Sequence, residues 1–367
     1  MPTSIVIAGG GTGGHVYPGL ALAEALRARR PDAAISFIGT ERGLEMRAVP
    51  AAGFELDTIA VLPWAKTLGA RRYLAPATAL RATVQAMRIL RRRRAQVVVS
   101  MGGYASLPAA LAARLNGVPI VVHEQNAVPG RANRITARLT RRVAATFAES
   151  AAAFPRPSQV RVTGNPIRES LARLDRDALR PEAFLHFGLD PGKTTVVVTG
   201  GSQGAKRLSE AARSLAASWA GDHAMQILLI AGRGNASDAA PGPIREIEFT
   251  DRMDLVYAAA DLVVCRSGAG IMEVAAAGVP AIMVPYPYAR DDHQRANAAA
   301  LERARAGIII DETEASPERL AALIREIAGD PARRGAMAAA ARAYARPDAA
   351  AALAAMVLDA AEKGPSR

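Results

Sequence analysis

The stretch Ile5-Val6-Ile7-Ala8-Gly9-Gly10-Gly11-Thr12-Gly13-Gly14-His15-Val16-Tyr17-Pro18-Gly19-Leu20 passes from a short apolar run into five glycines around one threonine, and then into an amphipathic pattern carried by Leu20, Leu22, Ala23 and Leu26. That order reads as strand, phosphate-sized turn and helix. Glycines let a backbone approach an anion closely, and a helix N-terminus supplies free N–H groups and positive potential. An imidazole at the mouth of such a turn, His15, can exchange protons with whatever binds there. A packed or capping histidine, or a donor to a ligand phosphate, fits the same position.

The plan repeats along the chain. Val97-Val98-Val99-Ser100 is a continuous apolar strand of the kind covered on both faces in a parallel sheet, and it ends in Met101-Gly102-Gly103-Tyr104. Ile120-Val121-Val122 ends in His123-Glu124-Gln125-Asn126. Polar groups therefore collect at carboxyl ends of strands, where open α/β sheets bind ligands. His123 and Glu124 rival His15 as bases on that argument. Periodicity stops over 150–166, where Pro155, Pro157, Gly164 and Pro166 read as an interdomain linker. Beyond it Thr195-Val196-Val197-Val198-Thr199-Gly200-Gly201-Ser202-Gln203-Gly204 imitates the first strand and turn. Further apolar strands at 227–232, 261–266 and 280–285 alternate with helices, and the tail from Pro331 to Ala361 reads as two helices parted near Arg346-Pro347-Asp348. Two doubly wound parallel α/β domains facing each other are expected.

Composition narrows the classes. The 367 residues suit about two domains. No apolar run approaches the roughly 20 residues of a membrane span, and no secretory leader pattern opens the chain. The single cysteine, Cys265, precludes an internal disulfide, and five scattered histidines show no zinc spacing. Residues 1–165 hold 22 Lys/Arg against 8 Asp/Glu, whereas 166–367 hold 24 against 26. No acid occurs between Thr58 and His123, a window containing Lys66, Arg71, Arg72, Arg81, Arg88 and Arg91 to Arg94. Such a face attracts a polyanion: nucleic acid, an anionic membrane or a phosphorylated lipid. A helix expected over Tyr73–Arg94, with Trp64 nearby, is the candidate for membrane contact.

Several motifs point away from other chemistries. Gly9 to Gly14 fits G-x-G-x-x-G, but the second strand at 35–39 ends without the ribose-binding carboxylate of a dehydrogenase, Glu41 coming just after it. The turn at 200–204 lacks the Gly-Lys-Ser/Thr of a Walker loop. Asp175-Arg176-Asp177 has D-x-D spacing but follows no strand, so it reads as solvated acids and no metal is assigned. Glu273, after Arg266-Ser267-Gly268-Ala269-Gly270, reads either as a ribose-binding carboxylate or as a first-turn helix acid.

Taken together and in order, Gly9 to Gly19, Met101 to Tyr104, His123 to Asn126, Gly164-Asn165-Pro166-Ile167-Arg168, Gly200 to Gly204, Cys265 to Ala269 and Asp292-His293-Gln294 resemble the signature blocks of the MurG family over nearly the whole chain. The resemblance implies two Rossmann-like domains facing across a cleft (GT-B), divided as 1–163 and 164–345, with 346–367 as a helix returning to the N-terminal domain. It implies transfer of N-acetylglucosamine from UDP-N-acetylglucosamine to undecaprenyl-pyrophosphoryl-N-acetylmuramyl pentapeptide (lipid I to lipid II). That places the chain on the cytoplasmic face of the inner membrane, with no metal or other cofactor and no nucleic-acid partner. By position Arg168, Ser202, Thr250, Ala269, Glu273 and Gln294 should bind the donor, with Thr12, Gly13, Gly14 and Asn126 reaching its sugar. Gly11, Gly14, Gly102, Gly103 and Tyr104 should flank the acceptor pyrophosphate. His15 is the implied base and Glu124 its rival. One departure stands out: Glu273 follows the Arg266-to-Ala269 block one residue sooner than is usual, which would turn it by about 100° on a helix.

Overall fold

The computed structural model describes residues 2–61, 75–201, 204–221, 224–237 and 242–364. Trp64, Lys66, Arg71, Arg72, Tyr73, Ser202 and Gln203 lie outside the described residues, as does the start of the helix expected from Tyr73. The chain forms two units, 1–168 with 348–367 and 169–347.

In the first unit seven strands, β1 (Ser4–Gly9), β2 (Ala34–Thr40), β3 (Glu55–Ile59), β4 (Val97–Gly102), β5 (Ile120–Glu124), β6 (Val143–Ala145) and β7 (Val160–Val162), form a parallel sheet in the order β3-β2-β1-β4-β5-β6-β7. Their crossovers are α1 (Gly13–Arg29), α2 (Glu45–Ala51), α3 (Ala75–Arg92), α4 (Ser106–Leu115) and α5 (Arg131–Thr136). Because successive side chains point to opposite faces, the apolar runs feed two cores. Ile5, Ile7, Val97 and Val99 pack with Leu22 and Leu26 of α1. Val6, Ile38, Val98 and Val122 pack with Ala86 and Leu90 of α3 and Ala109 of α4. Both faces are covered, which is why the strands read as unbroken hydrophobic runs.

In the second unit α6 (Glu169–Ala172) and α7 (Arg176–Phe187) lead into β8 (Thr194–Thr199), α8 (Lys206–Ser218), β9 (Met225–Ile230), β10 (Ile244–Ile247), α9 (Met253–Ala259), β11 (Leu262–Cys265) and α10 (Ile271–Ala276). Then come β12 (Ala281–Met283), α11 (His293–Arg303), β13 (Gly307–Ile309), α12 (Pro317–Ala328) and α13 (Pro331–Tyr344). The sheet order is β10-β9-β8-β11-β12-β13, all parallel, so β8 holds the place that β1 holds in the first sheet. Val196, Val198, Leu229 and Val264 meet Leu215 and Trp219 from the α8 side and Ile324 and Ile327 of α12.

The last helix, α14 (Ala349–Lys363), belongs to the first unit, where Leu353, Ala354 and Val357 join the α1 face of the core. Arg30 and Glu362 pair at 2.9 Å across that seam. Burying Leu353 and Val357 contributes about 1.5–3 kcal/mol each.

Two features depart from the sequence reading. The stretch 150–166 is no simple linker: Val160–Val162 is the edge strand β7, paired with β6. Three residues between proline-rich flanks are too few to show periodicity. Residues 164–168, expected at the head of the second domain, remain in the first unit. The D-x-D pair, by contrast, has a local task, since the Asp175 carboxylate caps α7 by accepting from the Ala178 N–H at 3.1 Å.

Candidate active site

The register between β1 and β4 slips after Ala8, so that Gly9 pairs with Gly102 and the turns leaving both strands run side by side. In the first, Gly11 takes φ +90° and extended Thr12 opens α1, its carbonyl accepting from the N–H groups of His15 (3.1 Å) and Val16 (3.2 Å). The N–H groups of Gly13 and Gly14 are the first of the helix and have no intrahelical acceptor. They stand at the positive end of the helix dipole, and no acidic residue in that first turn offsets it.

In the second turn Gly102 and Gly103 have φ +92° and +84°, a conformation that other residues rarely adopt. A Cβ at 103 would lie 2.5 Å from the Gly10 carbonyl oxygen, so the two turns touch only because residue 103 is glycine. A Cβ at 102 would lie 3.1 Å from Cδ2 and Nε2 of His15. The half-buried imidazole thus rests with that edge against Gly102 and its Nδ1 3.3 Å from Thr12 Oγ1. Ser106 steadies the second turn by donating from Oγ to the Gly103 carbonyl at 3.0 Å, and half-buried Tyr104 follows it.

At the end of β5 the two rival bases are tied into the scaffold. His123 is fully buried: its Nε2 bonds the Gly164 carbonyl at 3.0 Å, and its Nδ1 accepts from Gln125 Nε2 at 3.1 Å. Burial pushes its pKa from the ordinary 6.5 to about 4, against the opposing bond to Gly164. The ring is neutral and ties Gly164 to the end of β5. Glu124 is equally enclosed. Its Oε1 accepts from the Asn126 N–H (2.9 Å) and Nδ2 (3.2 Å), and its Oε2 from the Gly130 N–H (3.1 Å) and Asn133 Nδ2 (2.9 Å). Burial raises its pKa above the ordinary carboxylate value, against the pull of those bonds. Asn133 ties the cluster together, also donating to the His123 carbonyl (3.0 Å) and accepting from Ser100 Oγ (3.2 Å).

This burial has a consequence for acid stability. The unfolded chain protonates His123 near pH 6.5 and the folded chain only near 4, so the unfolded state binds the extra proton between them. Stability contributed by the neutral ring is therefore lost as pH falls from about 6.5 to 4, amounting to about 2 kcal/mol by pH 5. Thermal unfolding at pH 7 and pH 5 measures it: the wild-type decrease should exceed that of His123→Gln, whereas equal decreases would show that the ring does not titrate in this way.

Arg168 lies with its guanidinium carbon 5.7 Å from the centre of the Tyr17 ring, against the helix of the first glycine turn. A position among the first-unit groups, beside α1, replaces the expected one at the head of the second domain.

In the second unit the turn after β8 repeats the design. Gly201 and Gly204 have φ +80° and +72°, and a Cβ at 204 would lie 2.3 Å from the Ala231 carbonyl oxygen just past β9. At the neighbouring strand end, Ser267 Oγ donates to the Gln294 carbonyl (2.8 Å) and Asn297 Nδ2 to the Ser267 carbonyl (3.0 Å), stapling the 267–269 turn to α11. Gln294 Oε1 accepts from the Tyr286 N–H at 2.9 Å, and its Nε2 is directed toward Gly268. Ala269 is buried just ahead of α10, where Glu273 is the third residue, with the Tyr257 hydroxyl 3.5 Å from its Oε2. Thr250 Oγ1 accepts from the Arg252 N–H at 3.0 Å, next to a Phe249 ring that carries the Arg233 guanidinium 4.2 Å above it. Half-buried Arg266 pairs with Glu312 and donates to the Val284 carbonyl at 3.1 Å, which fixes the strand end.

The first unit therefore gathers Gly11 to His15, Gly102 to Tyr104, Glu124, Asn126 and Arg168, and the second holds Gly200, Gly201, Gly204, Thr250, Ala269, Glu273 and Gln294. Sequence reasoning missed Glu45, Asn133 and Glu312. The strand β2 ends without a carboxylate, as the sequence reading has it, and of the two that follow, Glu41 is exposed and Glu45 buried.

Two parallel, doubly wound units, each with a glycine turn between its central strand and the following helix, define the class as the GT-B type of glycosyltransferase fold. Residues 5–145 match the glycosyltransferase family 28 N-terminal domain and residues 195–353 its C-terminal domain. The chain belongs to glycosyltransferase family 28. It is 44% identical, over 97% of its own length and 98% of the relative's, to the UDP-N-acetylglucosamine--N-acetylmuramyl-(pentapeptide) pyrophosphoryl-undecaprenol N-acetylglucosamine transferase of Streptomyces coelicolor. It is also similar to the crystal structure of Acinetobacter baumannii MurG, with 30% identity, a TM-score of 0.76, and coverage of 98% of this chain and 100% of that one. A UDP-GlcNAc 2-epimerase from Neisseria meningitidis bound to UDP-GlcNAc, 12% identical with a TM-score of 0.67 over 98% of this chain and 100% of that one, shares the fold alone.

Proposed function

We propose that this chain transfers N-acetylglucosamine from UDP-N-acetylglucosamine to the C4 hydroxyl of N-acetylmuramic acid in undecaprenyl-pyrophosphoryl-N-acetylmuramyl pentapeptide, with inversion. The observation that carries the reading is the 44% identity over nearly the full length of a relative bearing that name. In the mechanism His15 removes the proton from the attacking hydroxyl, the oxygen attacks the anomeric carbon, and UDP departs, leaving a β-1,4 link. The first unit binds the acceptor, its pyrophosphate facing the N–H groups of Gly13 and Gly14 and the Gly102–Tyr104 turn. The second unit holds the donor, with Glu273 on the ribose, Thr250 by the uracil and the turn after β8 at the phosphates. Backbone donors and arginine carry the developing charge of UDP in this scheme, with no call on a metal.

The acceptor is an anionic lipid, and the first unit suits a membrane surface. Along α3, exposed Leu80 (68%) and Val84 alternate with exposed Arg81, Arg88 and Arg91, and α4 exposes Leu115 (67%) beside Arg114. Apolar side chains among arginines favour peripheral docking on anionic lipid. Among the described residues no helix is long and apolar enough to cross a membrane. The surface met is the cytoplasmic face of the inner membrane, where the nucleotide-sugar is available.

The test is acceptor dependence. UDP release from UDP-N-acetylglucosamine should require a lipid I analogue. Epimerisation of the nucleotide-sugar without acceptor would instead identify an enzyme of the epimerase type on the same fold.

A further inference from the structure

Glu45, the first residue of α2, has no role in the scheme above, yet its side chain sits directly behind the first glycine turn and is 1% exposed. Its Oε2 accepts from the Gly11 N–H at 2.8 Å. Its Oε1 accepts from the Thr40 N–H at 3.0 Å and from Thr40 Oγ1 at 2.7 Å. Burial pushes its pKa up, but the bonds from Gly11 and Thr40 together outweigh that and hold it below the ordinary carboxylate value, so the group is ionised.

The slot is built for it. A Cβ at Gly10, Gly39 or Gly43 would lie 2.3, 2.6 or 2.2 Å from atoms of the Glu45 side chain. Glycines from three segments, the turn after β1, the end of β2 and the loop before α2, together clear the space. The carboxylate in turn holds the Gly11 N–H at a positive φ, two residues before α1 begins with the N–H groups of Gly13 and Gly14.

We propose that Glu45 is a positioning residue for the reaction: its buried carboxylate sets the first glycine turn in the form that receives the acceptor's diphosphate. The inference rests on the proposed function for what the turn binds. Three donors meet two carboxylate oxygens here, a demand that an amide cannot satisfy, because its NH2 must oppose at least one of them. A shift of the turn by even about 1 Å costs up to 10²-fold in a positioned reaction.

The experiment compares wild type, Glu45→Gln and the milder Thr40→Val, which removes one of the three donors. It reads acceptor KM, kcat, UDP Kd, the thermal transition, and hydrogen–deuterium exchange of a peptide spanning residues 9–14. Glu45→Gln should raise acceptor KM about tenfold or more and speed exchange in that peptide, with UDP Kd within twofold of wild type. Thr40→Val should move both readings in the same direction by a smaller factor. A folded Glu45→Gln with unchanged acceptor KM overturns the proposal. If Glu45→Gln does not fold, unchanged acceptor KM and exchange in Thr40→Val overturn it instead. Failure of the underlying reading would be seen separately, as wild-type protein that releases no UDP in response to acceptor.

Discussion

Replacing His15 with alanine is expected to lower kcat by about 10²–10⁴-fold, the usual contribution of a positioned base, while UDP affinity changes less than twofold. The imidazole stands at the start of α1 in the first unit, its Cδ2–Nε2 edge lying against Gly102 and its Nδ1 near Thr12 Oγ1. The uracil and ribose candidates, Thr250 and Glu273, lie in the second unit, and in the first unit Arg168 stands against Tyr17, whereas His15 stands against Gly102 and Thr12. A proton acceptor lost from the first unit should therefore slow the chemical step without loosening the nucleotide. His15→Gln, which keeps a polar contact to Thr12 but cannot take a proton at neutral pH, should be nearly as slow. Collapse of UDP affinity in either variant would make His15 a binding or structural residue.

Glu124→Ala should act on the fold. Its carboxylate accepts from the N–H groups of Asn126 and Gly130 and from Nδ2 of Asn126 and Asn133, within a site closed to water. Truncation strands those donors, each of which costs about 1–3 kcal/mol when left without an acceptor in the interior. Relief from burying a charge offsets part of that, so a net loss of about 3–5 kcal/mol is expected. At about 2–4 °C per kcal/mol for a unit of this size, the transition of the first unit should drop by about 6–20 °C. Glu124→Gln keeps the shape but turns an NH2 toward donors, and should cost about 1–3 kcal/mol. Unaltered thermal stability with abolished transfer in Glu124→Gln would mark this carboxylate as the base and displace His15.

The two variants also show where sequence is informative. The glycine turns are legible because chemistry leaves little choice: Gly103 meets Gly10 at a distance no Cβ allows, and Gly11 and Gly102 need positive φ. The strands β1, β4 and β8 are legible because coverage on both faces makes them unbroken apolar runs. Depth at the strand ends is not written locally. His15, His123 and Glu124 each follow a strand, but only the structure shows that the last two are sealed by Gly164, Asn126, Gly130 and Asn133. Asn133 and Glu45 act across 33 and 34 residues of chain, on Ser100 and Gly11, with no motif to announce them. The same holds for β7: three residues among prolines become a strand only when β6 is there to pair with.

The central claim, inverting transfer to a lipid-linked acceptor, is tested most directly by product linkage. The purified chain, given UDP-N-acetylglucosamine and a lipid I analogue, should yield a disaccharide whose anomeric coupling by NMR shows a β-1,4 link to N-acetylmuramic acid. An α link, a bond to a different hydroxyl, or no disaccharide at all would contradict it.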